Sequence, residues 1–473
     1  MRSFLACLVL FSASHAFLFG QHCTLDVKTG GAPPVEVNAK VAPGTCGFLQ
    51  FAWQAFLAEN WPPLPVDPTN TTQKARGLPD ASQTIGQSGD NATVWQQYQP
   101  NWYLFQPNDP PPNASAGQSF AAWNQNSKLP SSCGQQAASQ GVMILSAISK
   151  LDPMPGIKQA FSEPLIDQTG YYARYDIQLS YEAFNYINSN QYYLAAKQTP
   201  TTTFSFPTQN GATPGAVFVK SAWKTLSATE VNSGRFHTAL AFLYSPASFV
   251  DTCVGPVTVG LVGLHIVQKT AAFPESVWAT FEQVDNTPAD PANPPSQSWS
   301  FFNPTSKTTP NTAPTCPNTI NGNCDWQPTS SHLGDKTGGP TQVVRTNPIP
   351  KSQNQPALGE INQSVQAGLK AINPNSVWQY YELVDAQWQK AGTSTGFFPP
   401  NNVLNSVAET YFQIPPVKFP MSCMVCHQGA TAANGKPSDF SFELGLAWAP
   451  TVLPANRVPA MHAPPVHKPA PAK

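Results

Sequence analysis

The chain has 473 residues, a formal net charge of −1 and only 11% charged side chains. So neutral a composition offers no basic surface for nucleic acid and no acidic tract for a charged partner. Its 50 prolines suit long ordered loops, while an aromatic content of 11% excludes a wholly disordered chain.

Residues 1–16 read as a secretory signal. Arg2 supplies the positive charge, Phe4 to Phe11 the apolar run, and Ser14-His15-Ala16 small residues that direct cleavage after Ala16. The run is too short to span a bilayer, and too few apolar residues precede Cys7 for a lipoprotein signal. No later segment is apolar enough to cross a membrane. The expectation is an exported chain, periplasmic or secreted, with no membrane span.

Residues 46–61 have helical periodicity. Leu49, Trp53, Phe56 and Leu57 share a face, and Pro62-Pro63 stop the helix. Residues 62–118 are rich in Pro, Asn, Gln, Asp and Gly and read as a long surface excursion. Residues 171–179 alternate like a half-buried strand, and Tyr181 to Asn190 look helical. From 216 to 286 the pattern is β-rich, with strands at Val217–Trp223, Phe236–Tyr244, Val257–Val267 and Val277–Val284. A second Pro-, Asn- and Thr-rich stretch fills 287–355. Ala357 to Ile372 form an amphipathic helix with Ile361, Val365, Leu369 and Ile372 on one face. Ser376 to Ala386 read as a further strand, and 449–473 as a Pro/Ala/Lys-rich tail.

Helices and antiparallel-looking strands without regular β-α alternation define an α+β class. The expected architecture is one large domain over 17–448, with an antiparallel β-rich centre, peripheral helices and long Pro-rich loops near 62–118 and 287–355.

Near the C-terminus the chain reads Cys423-Met424-Val425-Cys426-His427, the C-x-x-C-H spacing of c-type haem attachment. Positions i, i+3 and i+4 share one face of a helical turn. Cys423 and Cys426 can then form thioethers with two haem vinyls while His427, as proximal ligand, reaches the iron from the same side. Three other readings compete. Half of a zinc site lacks a second ligand pair, a thioredoxin-like dithiol lacks a βαβ surround, and nine cysteines allow coincidence. The expectation is one covalent haem c.

Beyond Cys7 and the motif, six cysteines remain: Cys23, Cys46, Cys133, Cys253, Cys316 and Cys324. An even number in an exported chain suggests disulfides, with fifteen connectivities open. Short loops favour Cys316–Cys324 and Cys23–Cys46, with Cys133–Cys253 following by elimination; free buried thiols are the alternative.

Little ordered chain follows His427 before the tail, so the pocket walls and any far-side ligand must come from upstream. Phe440, Phe442, Leu444, Leu446 and Trp448 can form one wall or pack on the core. Haem iron accepts a second His or Met, or leaves that position open. The candidates are His22, His237, His265, His332, His462, His467, Met143, Met154 and Met461; Met421 and Met424 lie too close to the motif. His265 stands out, on the apolar run Gly260-Leu261-Val262-Gly263-Leu264-His265-Ile266-Val267, where a buried imidazole needs a partner. It is the candidate distal metal ligand, with His237 and Met461 behind it; a hydrogen-bonded core histidine is the plainer reading. No G-x-S-x-G, H-E-x-x-H, P-loop or Rossmann glycine pattern appears in a supporting context.

Beyond C-x-x-C-H, the chain resembles a group of large, exported bacterial monohaem proteins of the cytochrome c family. The resemblance is carried by Trp53-Gln54-Ala55-Phe56, Asn60-Trp61-Pro62, Gly260 to His265 with Lys269-Thr270, Trp278-Ala279-Thr280-Phe281-Glu282, Asp285-Asn286, Glu409-Thr410-Tyr411-Phe412-Gln413 and Ser422 to Gly429. It implies haem c and electron transfer, with unidentified redox partner proteins and no known substrate. The chain departs from small cytochromes c in length and motif position, so their downstream Met ligand does not carry over. Two alternatives stand beside an electron carrier. One is a haem-dependent oxidoreductase, peroxidase-like, with an open distal site served by His265 or His237. The other is a haem-containing sensor or binding protein.

Overall fold

A nine-stranded sheet organises the chain. The structure is a computed structural model describing residues 22–29, 31–37, 45–66, 76–86, 92–105, 123–124, 143–145, 163–245, 252–315, 319–320, 323–324, 339–345, 349, 356–390, 396–399, 403–413 and 422–448. The expectations for 1–16, Cys133, Cys316, His332, His462, His467, Met154, Met421, Met461 and 449–473 lie outside these residues.

The strands are β1 (Gln99–Pro100), β2 (Met143–Leu145), β3 (Arg174–Leu179), β4 (Val217–Thr225), β5 (Thr238–Ser245), β6 (Thr252–Gln268), β7 (Val277–Gln283), β8 (Thr319–Ile320), β9 (Asn323–Cys324), β10 (Tyr381–Gln389) and β11 (Phe397–Phe398). The main sheet runs β1-β3-β4-β6-β7-β10-β11; β5 pairs with β6, and β2 with β5. Among the described strand pairs only β2–β5 is parallel; β8–β9 is a separate hairpin. β6 is the spine. Its first half pairs with β5 and its second half lies between β4 and β7, with β4 and β5 meeting opposite edges only at Val259 and Gly260.

Alternation along the strands gives the sheet two different faces. Val219, Leu264, Ile266, Ala279, Phe281 and Ala386 point to the larger core. There they meet α1 (Thr45–Glu59) and α5 (Pro356–Ile372), numbered after α2 (Asn101–Leu104), α3 (Tyr181–Ser189) and α4 (Ala228–Asn232). α1 is apolar around most of its circumference and is buried accordingly. Each of its fully buried Trp, Phe and Leu side chains stabilises by roughly 1.5–3 kcal/mol. Asn362 of α5 sews helix to sheet: its Oδ1 accepts from Trp53 Nε1 at 2.9 Å and from Leu383 N at 3.1 Å, and its Nδ2 donates to Leu383 O at 2.9 Å.

The opposite face carries Lys220, Ala222, Gly263, His265, Val267, Trp278, Thr280 and Gln387 in register. It is covered by 403–413 and by α6 (Cys423–His427), not by long helices. Gly263 permits the approach: a Cβ there would lie 2.6 Å from Val407 Cγ2 and 3.2 Å from Asn405 Oδ1. Asn405 Nδ2 donates to Thr280 Oγ1 and to Phe281 O, both at 2.9 Å. Ser406 N–H and Oγ–H both donate to Glu282. Arg345 Nη2 pairs with Glu282 at 2.9 Å and with Glu382 at 3.0 Å.

Most sequence-predicted elements have their expected type. Two readings change. Residues 377–380 form a 3-10 turn, and the strand starts at Tyr381, because Trp378 packs edge-on to Phe56. Within the expected surface excursion, Val94, Trp95, Trp102, Tyr103, Leu104 and Phe105 are core residues. Composition marked the Pro- and Asn-rich flanks and hid the aromatic anchor between them. Cys23–Cys46 is a disulfide, and Cys253 is disulfide-bonded too.

Candidate functional site

α6 is little more than one turn and holds the whole C-x-x-C-H motif. It closes through Cys426 N–H to Ser422 O at 3.2 Å and Gln428 N–H to Met424 O at 2.9 Å. Met424 anchors it. Its side chain is fully buried against Trp278 and Phe397, and its N–H donates to Gln387 Oε1 at 2.8 Å. The helical spacing leaves Cys423, Cys426 and His427 on another side, half-buried. Val267, Val425 and Phe440 pack around the same cluster.

Cys423 and Cys426 are free thiols. Burial pushes the Cys423 thiol well above its usual range, with Glu409 adding to the effect. The same two causes push Cys426 up to about 11. Dithiol redox centres lower a cysteine pKa to expose a thiolate; this pair is arranged the opposite way.

The His427 ring sits between Trp278, centroid 4.5 Å away, and Phe442, at 5.0 Å. Its Nδ1 lies 2.8 Å from the carbonyl of Phe440. A carbonyl only accepts, so Nδ1 carries the proton. Burial lowers the ring's pKa to about 4, with the Phe440 hydrogen bond opposing. At neutral pH the imidazole is therefore uncharged, and Nε2 holds the lone pair that a metal needs.

The Phe440 carbonyl is aimed by unusual backbone. Asp439 and Phe440 both adopt positive φ, 56° and 64°. Asp439 Oδ2 accepts from Lys269 Nζ at 2.5 Å and from Phe206 N–H at 2.7 Å.

His265 lies on the same sheet face as Trp278, two residues along and one strand over. Its Nε2 is 3.1 Å from Glu409 Oε1, and Glu409 Oε2 accepts from Asn405 N–H at 2.8 Å. Burial works against the Glu409 carboxylate, but His265, Lys220 and the Asn405 N–H outweigh it and hold the pKa below the usual range. Lys220 is the cross-strand neighbour of His265. Its ammonium lies 5.7 Å from the Tyr175 ring centre, and burial lowers its pKa while Glu409, Glu443 and Cys423 resist.

The other expected ligands are elsewhere. His237 is in the larger core, stacked on Trp378 at 4.6 Å, with Nε2 3.1 Å from Gln96 Oε1; burial lowers its pKa to about 3. Met143 Sδ accepts from Gln96 Nε2 at 3.6 Å. His22 is exposed, 3.6 Å from Glu360. Of the expected wall, Phe440 and Phe442 reach the motif, whereas Leu444 belongs to the larger core and Trp448 pairs with Leu194. Lys220, Phe440 as a carbonyl, and the Lys269–Asp439 pair were not singled out as site residues from sequence. The interruption of an apolar β4 by Lys220 was the available signal.

Comparison with family models, with curated proteins and with solved structures found no match. Among the described residues, no three His, Cys, Asp or Glu side chains converge to hold a bare metal ion. A porphyrin brings its own four nitrogen ligands, so the relevant test is for one axial nitrogen, two thiols and apolar walls. Neutral His427, the thiols of Cys423 and Cys426, and the Trp278–Phe397–Phe440–Phe442 surround fit that group.

Proposed function

We propose that this chain is an exported monohaem c-type cytochrome that carries single electrons. The observation that carries the reading is the His427 Nδ1–H to Phe440 carbonyl contact of 2.8 Å, beside two unpaired thiols on the same turn. Cys423 and Cys426 would hold the group covalently, and His427 Nε2 would supply its proximal nitrogen. When bound, haem supplies reversible one-electron chemistry at iron. The chain's residues do the rest. Phe440 fixes the imidazole tautomer, Met424 and Gln387 fix the helix, and Trp278, Phe397 and Phe440 exclude water. The Cys23–Cys46 disulfide suits a periplasmic or secreted location. The partners are redox proteins.

Replacing both Cys423 and Cys426 with Ala should abolish haem that survives denaturing electrophoresis. Retention of covalent haem in the double variant rejects the assignment. A second reading, a haem-dependent oxidoreductase with an open far side, draws on the Glu409 contact that engages His265. Carbon monoxide separates the two: a six-coordinate carrier ignores it, and an open site binds it in the ferrous state.

A further inference from the structure

We propose that the Lys269–Asp439 ion pair is a positioning device that sets the hydrogen bond on the axial histidine and, through it, the reduction potential. This inference rests on the haem reading above. Four contacts form the chain of action. Lys269 follows directly on β6, and its own N–H donates to Ala216 O at 3.0 Å, so its backbone is fixed by the sheet. Its ammonium is almost wholly buried, with 3% side-chain exposure, and meets Asp439 Oδ2 at 2.5 Å. The same oxygen takes the Phe206 N–H at 2.7 Å. Asp439 and Phe440 stand in left-handed backbone, at φ 56° and 64°, and Phe440 presents its carbonyl to His427 Nδ1 at 2.8 Å.

Two successive non-glycine residues hold left-handed backbone only where the surroundings over-determine it. Here the surroundings are the turn's own Ser441 N–H to Ser438 O bond at 3.1 Å and Ser438 Oγ–H to Ser441 O bond, with the two donors on Asp439 Oδ2 tying that turn to Lys269 and Phe206. If the two donors on Asp439 let go, the turn loses its anchor to Lys269 and Phe206, and the carbonyl shifts away from the imidazole. An imidazole that donates a strong Nδ1–H bond is a more basic ligand. More electron density at the metal favours the oxidised state. Weakening that bond therefore raises the potential.

The test uses holoprotein variants Asp439→Asn, Lys269→Met and Lys269→Arg. Haem staining after denaturation first establishes that the cofactor is attached. Midpoint potential is then read by potentiometry, and exchange of the His427 Nδ1 proton by NMR. Asn keeps a side-chain oxygen for the Phe206 N–H and tolerates left-handed backbone, so Asp439→Asn retains the fold even if Lys269→Met does not. Asp439→Asn and Lys269→Met should both raise the potential and speed proton exchange several-fold, and Lys269→Arg should return both towards wild type. A purely electrostatic effect moves the two variants in opposite directions, because one leaves an unpaired cation and the other an unpaired anion. Opposite shifts, or wild-type potential and exchange in haem-loaded Asp439→Asn, overturn the inference. Wild-type protein without covalent haem rejects instead the reading beneath it.

Discussion

Glu409 and His265 meet at 3.1 Å through Oε1 and the ring Nε2, across the sheet face that carries the C-x-x-C-H motif. Glu409 is held ionised, so Nε2 is the donor and Nδ1 is the ring nitrogen left for another partner. A carboxylate on one ring nitrogen and metal on the other is the usual arrangement of a ligating histidine.

On the carrier reading, His265→Ala should open the sixth position, so that ferrous protein begins to bind carbon monoxide. Glu409→Gln should keep six-coordination but raise the midpoint potential, because an amide is a weaker acceptor than a carboxylate. An absorption spectrum of folded His265→Ala identical to wild type, with carbon monoxide still excluded, makes His265 a core residue.

Gly263→Ala should loosen the cover over the site. The new methyl meets Val407 Cγ2 at 2.6 Å, so the Val407 side chain or the 403–413 segment must give way. Overpacking of this kind costs about 1–3 kcal/mol. Urea denaturation of Gly263→Ala, Val407→Ala and the double variant measures it. The double variant should recover part of the loss, and strict additivity would show that the two residues do not compete for space.

Glu59 gives a pH dependence with a definite sign. Burial raises its pKa to about 8, against a Tyr98 hydrogen bond that lowers it. Between about 4.5, its ordinary value, and about 8, the folded state holds a proton that the unfolded state has lost. This contribution is present at low pH and disappears as pH rises through that window. Glu59→Gln cannot ionise and should gain on the order of a few kcal/mol relative to wild type at the alkaline end. Parallel stability profiles for the two proteins from pH 5 to 8 would refute the assignment.

The Cys23–Cys46 bond spans 23 residues and ties the first described segment to the start of α1. A loop of that length constrains the unfolded chain by about 3 kcal/mol. Cys23→Ala with Cys46→Ala should lower the unfolding free energy by about that amount and, on the haem reading, leave the covalent haem in place. Loss of covalent haem in the variant would link the bond to the site instead.

Periodicity revealed the elements whose packing is one-sided. The stripe Ile361, Val365, Leu369 reports burial on a single face, so type and bounds follow; the alternation over 171–179 gives a strand, but β3 is buried on both faces rather than half-buried. Trp95 and Trp102 were missed because their neighbours are turn formers, and their burial depends on non-local contacts such as Trp95 with Asn60 and Trp223. In the site, Cys423, Cys426 and His427 are legible because one helical turn defines their geometry. Phe440 is not legible at all: its contribution is a backbone carbonyl, which every residue possesses. Glu409 and Lys269 lie in stretches that the sequence does single out, but their partners are 144 and 170 residues away, and separations of that size leave no local pattern.

β6 carries His265 within its length and ends one residue before Lys269. Successive strand residues face opposite ways, so a slip of one residue against β4 would turn His265 towards α1. The same slip would draw Lys269 out of reach of Asp439. One register error would thus misplace His265 and Lys269 together, at the same end of the strand.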